Sequence, residues 1–109
     1  PHATACAAAG RHLDASALTE TATMLGTVPL ARPAVPGTDD VVESVRDLLV
    51  GAPALLLANH GVVAWGRDLR EAYFRLETVE RLAEVTILAG LAGGVQPLPP
   101  DLLRRLGES

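Results

Sequence analysis

The first residue here that could do chemistry is a histidine in a turn. Asn59-His60-Gly61 follows the apolar run 54–58 and precedes Val62-Val63-Ala64-Trp65. Neutral imidazole is the commonest protein metal ligand, and an adjacent glycine lets an ion or ligand approach the backbone closely. Spacing alone leaves two readings open, a ligand or a structural histidine, because no Cys, His or carboxylate close in sequence completes a set. Glu20 has the chemistry of a general acid or base, and equally that of a solvated helix carboxylate. His2, at the start of an alanine-rich stretch, and His12, in a polar segment, read as surface or packing residues. Glu71, Glu77 and Glu80 read as a solvated or inter-subunit helix face, and Trp65 and Tyr73 as core or interface residues. No glycine-rich phosphate loop is visible: Gly90 and Gly93-Gly94 follow a helical pattern where such a loop must open one.

The elements that must position these groups fit one small α/β domain of 109 residues. An alanine-rich helix is expected over 2–10, ended by Gly10, because alanine costs least in a helix. A second, capped by Asp14 or Ser16 and ended by Gly26, is expected over 17–25, though Thr19, Thr21 and Thr23 disfavour it. Residues 27–31 read as one short strand that Pro29 confines to an edge or an end, and 32–37 as loop. Thr38 then caps a helix with Asp39 and Asp40 at its positive end, and Val41, Val45, Leu48 and Leu49 form one buried face. The run 54–58 reads as a strand buried on both faces and 62–65 as its hairpin partner, which puts His60 at the tip. Asp68 and Glu71 stand three apart, like a capping box, before a helix of about 24 residues. Its expected buried line is Leu69, Ala72, Leu76, Val79, Ala83 and Ile87, with Arg75, Glu77, Glu80, Arg81 and Glu84 mostly wet. An extended tail over 95–100 and a short helix over 102–106 follow.

Bulk composition narrows function by exclusion. Thirteen acidic residues against nine basic give a net charge of −4, with no basic cluster beyond Arg104-Arg105, which argues against nucleic-acid binding. No uninterrupted apolar run reaches the length of a membrane span. The single cysteine, Cys6, can form no internal disulfide and reads as a small buried apolar residue, which suits a reducing cytoplasm. The chain opens on Pro, directly in a helical pattern, so the natural protein is expected to begin further upstream.

Four stretches together resemble the class II aldolase/adducin family, in its order and with its approximate spacing. They are PHATA at the start, VP-x-A-R-P-x-x-PGT, LLLANHGVVAWG, and DLREAYFRLETVERLAE. The resemblance spans essentially the whole chain and implies the C-terminal portion of one such domain, part of a three-layer α/β/α sandwich. It implies a divalent metal, zinc by the family's habit, held by three histidines. The histidine of the NHG turn is one of them, so the ligand role falls on His60. The other two form an H-x-H pair that would lie just before Pro1. It also implies a cytoplasmic homotetramer acting on a small sugar phosphate or hydroxy-carbonyl compound. The metal would polarise the substrate's carbonyl and hydroxyl and stabilise an enediolate. Where fuculose-phosphate aldolases carry a catalytic tyrosine this chain has Leu18, which makes Glu20 the nearest alternative proton carrier. Where members often have an aromatic before PGT it has Pro33. The alternative reading is a non-catalytic assembly module, as in the adducins.

Overall fold

The structure, a computed structural model, describes residues 1–107, Met24 by its backbone alone. In chain order it holds α1 (His2–Ala8), β1 (Leu13–Asp14), a 3₁₀ turn (Ala15–Ala17) and α2 (Thr19–Met24). There follow β2 (Thr27–Val28), β3 (Leu30–Ala31), α3 (Asp39–Val45), β4 (Ala54–Leu57), β5 (Gly61–Ala64), α4 (Leu69–Leu91) and α5 (Pro100–Gly107). The fold is α/β. β4 is the central strand of a three-stranded sheet, parallel to β3 and antiparallel to β5, in register Leu30↔Leu56 and Leu57↔Gly61.

The expected strand over 27–31 is two strands in two sheets. Pro29 has no N–H to donate, so pairing changes partner across it. Before it, Val28 pairs with Leu13 in an antiparallel ribbon. From Pro29 onward the chain follows β4, its carbonyl accepting from Leu56 N at 2.9 Å. The helix expected over 17–25 begins at Thr19. Asp14 caps the 3₁₀ turn instead, accepting from Ser16 N at 2.9 Å, and that bond holds its carboxyl below the usual range. Thr21 explains why threonine is tolerated here. Its buried hydroxyl donates to Ala15 O at 2.6 Å and Leu18 O at 3.1 Å, stitching the 3₁₀ turn to α2.

α1 and α4 lie on one face of the sheet. Ala3, Cys6 and Ala7 pack with Ala54, Leu56, Val79, Leu82 and Ala83, and the small α1 side chains let the helix sit close. Burying Leu56 or Leu82 contributes roughly 1.5–3 kcal/mol each. Leu55, equally buried, lies outside that cluster, so β4 is covered on both faces as its unbroken apolar run implied.

Two expected buried faces are only partly so. α3 ends at Val45, after seven residues. Leu48 and Leu49 fall past its end, in turns closed by bonds to Val45 O, and the helical spacing does not apply to them. Val41, Val45 and Leu48 are half-buried and Leu49 is exposed. Thr38 N-caps α3 by position only, since its hydroxyl donates to Val35 O at 2.7 Å. In α4 the middle of the line holds, with Val79 and Ala83 buried and Leu82 added, but Leu76 and Ile87 are exposed and Leu69 is 87% exposed. The helix outruns the small sheet it covers and leaves Leu69, Tyr73 and Phe74 exposed near its start and Leu88 and Leu91 exposed near its end. Its start is built as the sequence implies, with Asp68 accepting from Glu71 N at 2.8 Å. Glu71, however, reaches back one residue further than expected, to Arg67 N at 3.2 Å. Glu71 packs so close to Gly66 that a Cβ there would lie 2.8 Å from its Cγ.

Glu80 does not belong on the wet side. Its carboxylate accepts from His2 N and Ala3 N, both at 2.9 Å, and contacts His2 Nδ1 at 2.6 Å. The two N–H groups are orphan donors of the first turn of α1. Partial burial pushes the Glu80 carboxyl up, but the bonds from Ala3 and His2 outweigh it and hold it below its ordinary range. A carboxyl depressed in the folded state contributes stability that is present above its unfolded pKa and lost as pH falls through the folded one. Denaturant midpoints are therefore expected to fall as pH drops below the ordinary carboxylate range. Glu80→Gln should flatten that slope and cost about 1–3 kcal/mol at neutral pH.

Candidate functional site

His60 is carried by the β4–β5 turn, and four backbone-directed hydrogen bonds fix that turn. His60 N donates to Leu57 O at 2.9 Å and closes it. Ala58 N donates to Ala31 O at 3.1 Å and ties it to β3. Asn59 N donates to Ala7 O at 3.0 Å, and Asn59 Nδ2 to Ala8 O at 3.4 Å, both on the last carbonyls of α1. Asn59 has φ +60°, the only non-glycine in the left-handed region among the described residues, and asparagine is among the few residues that take it readily. The backbone is thus held while the imidazole stays exposed, with no hydrogen bond or ion pair to the ring among the described residues.

His60 borders a small recess with Arg32, Ala34, Val41, Ser44, Leu57 and Ala58. Arg32 donates to Asp40 Oδ1 at 2.8 Å and to Pro33 O at 3.4 Å. The guanidinium beside Asp40 holds that carboxyl below the usual range.

The other candidates lie elsewhere. Glu20 is exposed in the first turn of α2, which packs on the 3₁₀ turn and α5; it neither lines the His60 recess nor bonds to His60. His12 is exposed near Asp14. His2 lies in a different cleft, of about 530 Å³ between α1 and α4, with Tyr73, Glu77, Glu80, Arg81 and Glu84, its Nε2 3.9 Å from Glu84. The pairing of His2 with Glu80 left no sequence signal, for the two are 78 residues apart. Arg32 was likewise missed as a neighbour of His60, because parallel pairing of β3 with β4 alone brings them together.

A catalytic zinc site takes three protein ligands. Among the described residues no three His, Cys, Asp or Glu side chains are placed to hold a metal. This chain's donor set toward an ion at His60 is one free, accessible imidazole, which fits a single ligand.

The sequence profile described as "Class II Aldolase and Adducin N-terminal domain" matches residues 1–87. The chain belongs to that family. Relatives in it differ in chemistry. A 4-hydroxy-3-prenylphenylpyruvate oxygenase/4-hydroxy-3-prenylbenzoate synthase of Streptomyces roseochromogenus subsp. oscitans is 37% identical over 60 residues, 55% of this chain and 22% of that protein. A rhamnulose-1-phosphate aldolase of Listeria monocytogenes is 29% identical over 75 residues, 68% of this chain and 28% of that protein. The solved structure of an L-fuculose 1-phosphate aldolase superposes with a TM-score of 0.87 at 29% identity, covering 98% of this chain and 50% of that one. The chain thus spans about half the length of the aldolase it superposes on, and the matches cover less than a third of the two curated relatives.

In this family member the His60 turn is expected to depend on a left-handed residue at 59. Asn59→Ala should cost about 1–2 kcal/mol in denaturant unfolding, because a Cβ without a local polar group is disfavoured at that φ. Asn59→Gly, which keeps the φ and loses only the longer side-chain bond to Ala8 O, should cost less than Asn59→Ala, and equal losses in both variants would show that φ is not what the position requires.

Proposed function

We propose that this chain is the C-terminal portion of a single class II aldolase/adducin domain, and that His60 is one ligand of a divalent metal, zinc by preference, in a lyase acting on a small sugar phosphate or related hydroxy-carbonyl compound. The observation that carries the reading is the NHG turn in a member of this family, with its backbone locked and its imidazole free. The sugar-phosphate class is supported by the two aldolases just described. A divalent ion at this position supplies Lewis acidity, polarising a carbonyl and stabilising negative charge left by a breaking carbon–carbon bond.

The chain's own part is to orient. Asn59 and Ala58 fix where the His60 backbone stands, and the remaining ligands come from outside residues 1–107. Glu20, separated from His60 within one chain, enters as a proton carrier only across a subunit boundary. Assembly is part of the reading. The exposed apolar residues at the two ends of α4 favour self-association, and a homotetramer is the proposed state, in the cytoplasm. Among the described residues no helix is long and apolar enough to cross a membrane.

Bound-metal analysis of the purified protein tests the ligand role. His60→Ala should lower zinc content at least about tenfold, since even partners of a ligand cost 10–100-fold when lost, with unchanged circular dichroism. Equal zinc in both proteins would overturn it, and no zinc in either would leave the adducin-like assembly module. Retro-aldol assays with L-rhamnulose 1-phosphate and L-fuculose 1-phosphate should lose activity with the metal. Light scattering should give a mass several times that of one chain. A monomer at every concentration would rule out the tetramer.

A further inference from the structure

Arg32 has no part in the reading above, yet it borders the same recess as His60. The sheet puts it there: Ala31 is the last residue of β3, in register with Leu57, and the chain leaves the sheet at Arg32 just where β4 enters the His60 turn. Its guanidinium is half-exposed. Asp40 takes one of its nitrogens and Pro33 O the other terminal one at longer range, leaving Nε and further N–H groups unused. Guanidinium is a planar fork with five donors that matches the two oxygens of a carboxylate or phosphate. The remaining recess residues, Ala34, Val41, Ser44, Leu57 and Ala58, bring no carboxylate that would repel an anion. Asp40 is the carboxylate bonded to Arg32 and engages one edge of the fork; Glu43 acts on the guanidinium only through space and leaves its other donors unbonded.

We propose that Arg32 is a substrate-binding residue that takes an oxyanion, a carboxylate or phosphate group, of a molecule whose reacting end lies at His60. Asp40 holds one nitrogen of the guanidinium and competes with an incoming oxyanion for it. This rests on the proposed role of His60 and adds what the substrate must carry beside its hydroxy-carbonyl group: a negatively charged end within reach of both side chains. It also gives the position a part in specificity. Carboxylate preference selects oxo acids and phosphate preference selects sugar phosphates, on an otherwise acidic chain of net charge −4 that repels both. The competing description is a surface ion pair that only fastens β3 to α3.

Isothermal titration at fixed ionic strength separates the two, with pyruvate and inorganic phosphate as probes and wild type, Arg32→Gln and Asp40→Asn compared, each without metal and with zinc. The proposal expects measurable binding of one probe, weakened about tenfold or more in Arg32→Gln, the scale of a lost charge-assisted hydrogen bond. Asp40→Asn should bind as tightly as wild type or tighter, because it frees the guanidinium. A structural ion pair would make the two variants alike. Equal binding by wild type and Arg32→Gln, or no binding of either probe, overturns the proposal. The metal-free arm reads Arg32 and zinc uptake reads His60. Anion binding without zinc uptake therefore removes the ligand role while leaving Arg32 in place, and zinc uptake without anion binding does the reverse.

Discussion

The contact on which the rest of this structure depends is a carboxylate at the start of a helix. Four of the seven residues of α1 are alanine, and its buried face is made of small side chains with little area to contribute. Glu80 supplies from α4 an acceptor for two α1 backbone N–H groups at the positive end of the helix dipole. At the other end the orphan carbonyls of Ala7 and Ala8 are met by Asn59. The helix is staked at both ends by groups distant in sequence. The dependence also runs the other way: the turn that carries His60 is seated on the C-terminal end of α1, so its position is set from α4 through α1.

Much of this architecture was legible because it is local. Pro53 and the NHG triplet bracket an apolar run, and the run is β4 with His60 at the hairpin tip. Gly10 and Gly26 lie past α1 and α2 with φ +70°, the left-handed conformation that ends a helix. Asp68 caps α4. What could not be read rests on partners far along the chain. Leu13-Asp14 is a strand only because Val28 lies beside it, and nothing in a two-residue segment announces that. The change of sheet at Pro29 needs two partners that periodicity does not see. Glu80 is a charged residue among other charged residues on a helix, and one-dimensional patterning assigns it to water. It faces α1 only because α4 packs there. The α3 face failed for a related reason: spacing predicts a shared face only as long as the helix lasts, and it stops before Leu48.

The candidate site was legible to the same extent. His60 could be singled out from turn chemistry and assigned a role through the family. Its surroundings could not, since Arg32 meets it through strand pairing and Asp40 meets Arg32 through the loop between β3 and α3. Glu20 was the nearest carboxylate by analogy and not by position, and it lies on a different part of the fold.

The two sides of the sheet have different surroundings. Leu56 faces α1 and α4, in the close-packed cluster that fixes the turn. Leu57, its neighbour and hence on the opposite face, borders the His60 recess. That recess is walled by the 32–37 loop and by α3, which has no buried residue. Substitutions in the loop change the wall without touching the packed face. On the proposed reading, the ligand position belongs to the rigid side, where a small displacement would be felt through α1 and Glu80. Substrate choice belongs to the loosely packed side, where side chains are free to vary. A histidine held by the core and an arginine held by a loop is the division of labour expected when the reaction's metal stays fixed and its substrate changes.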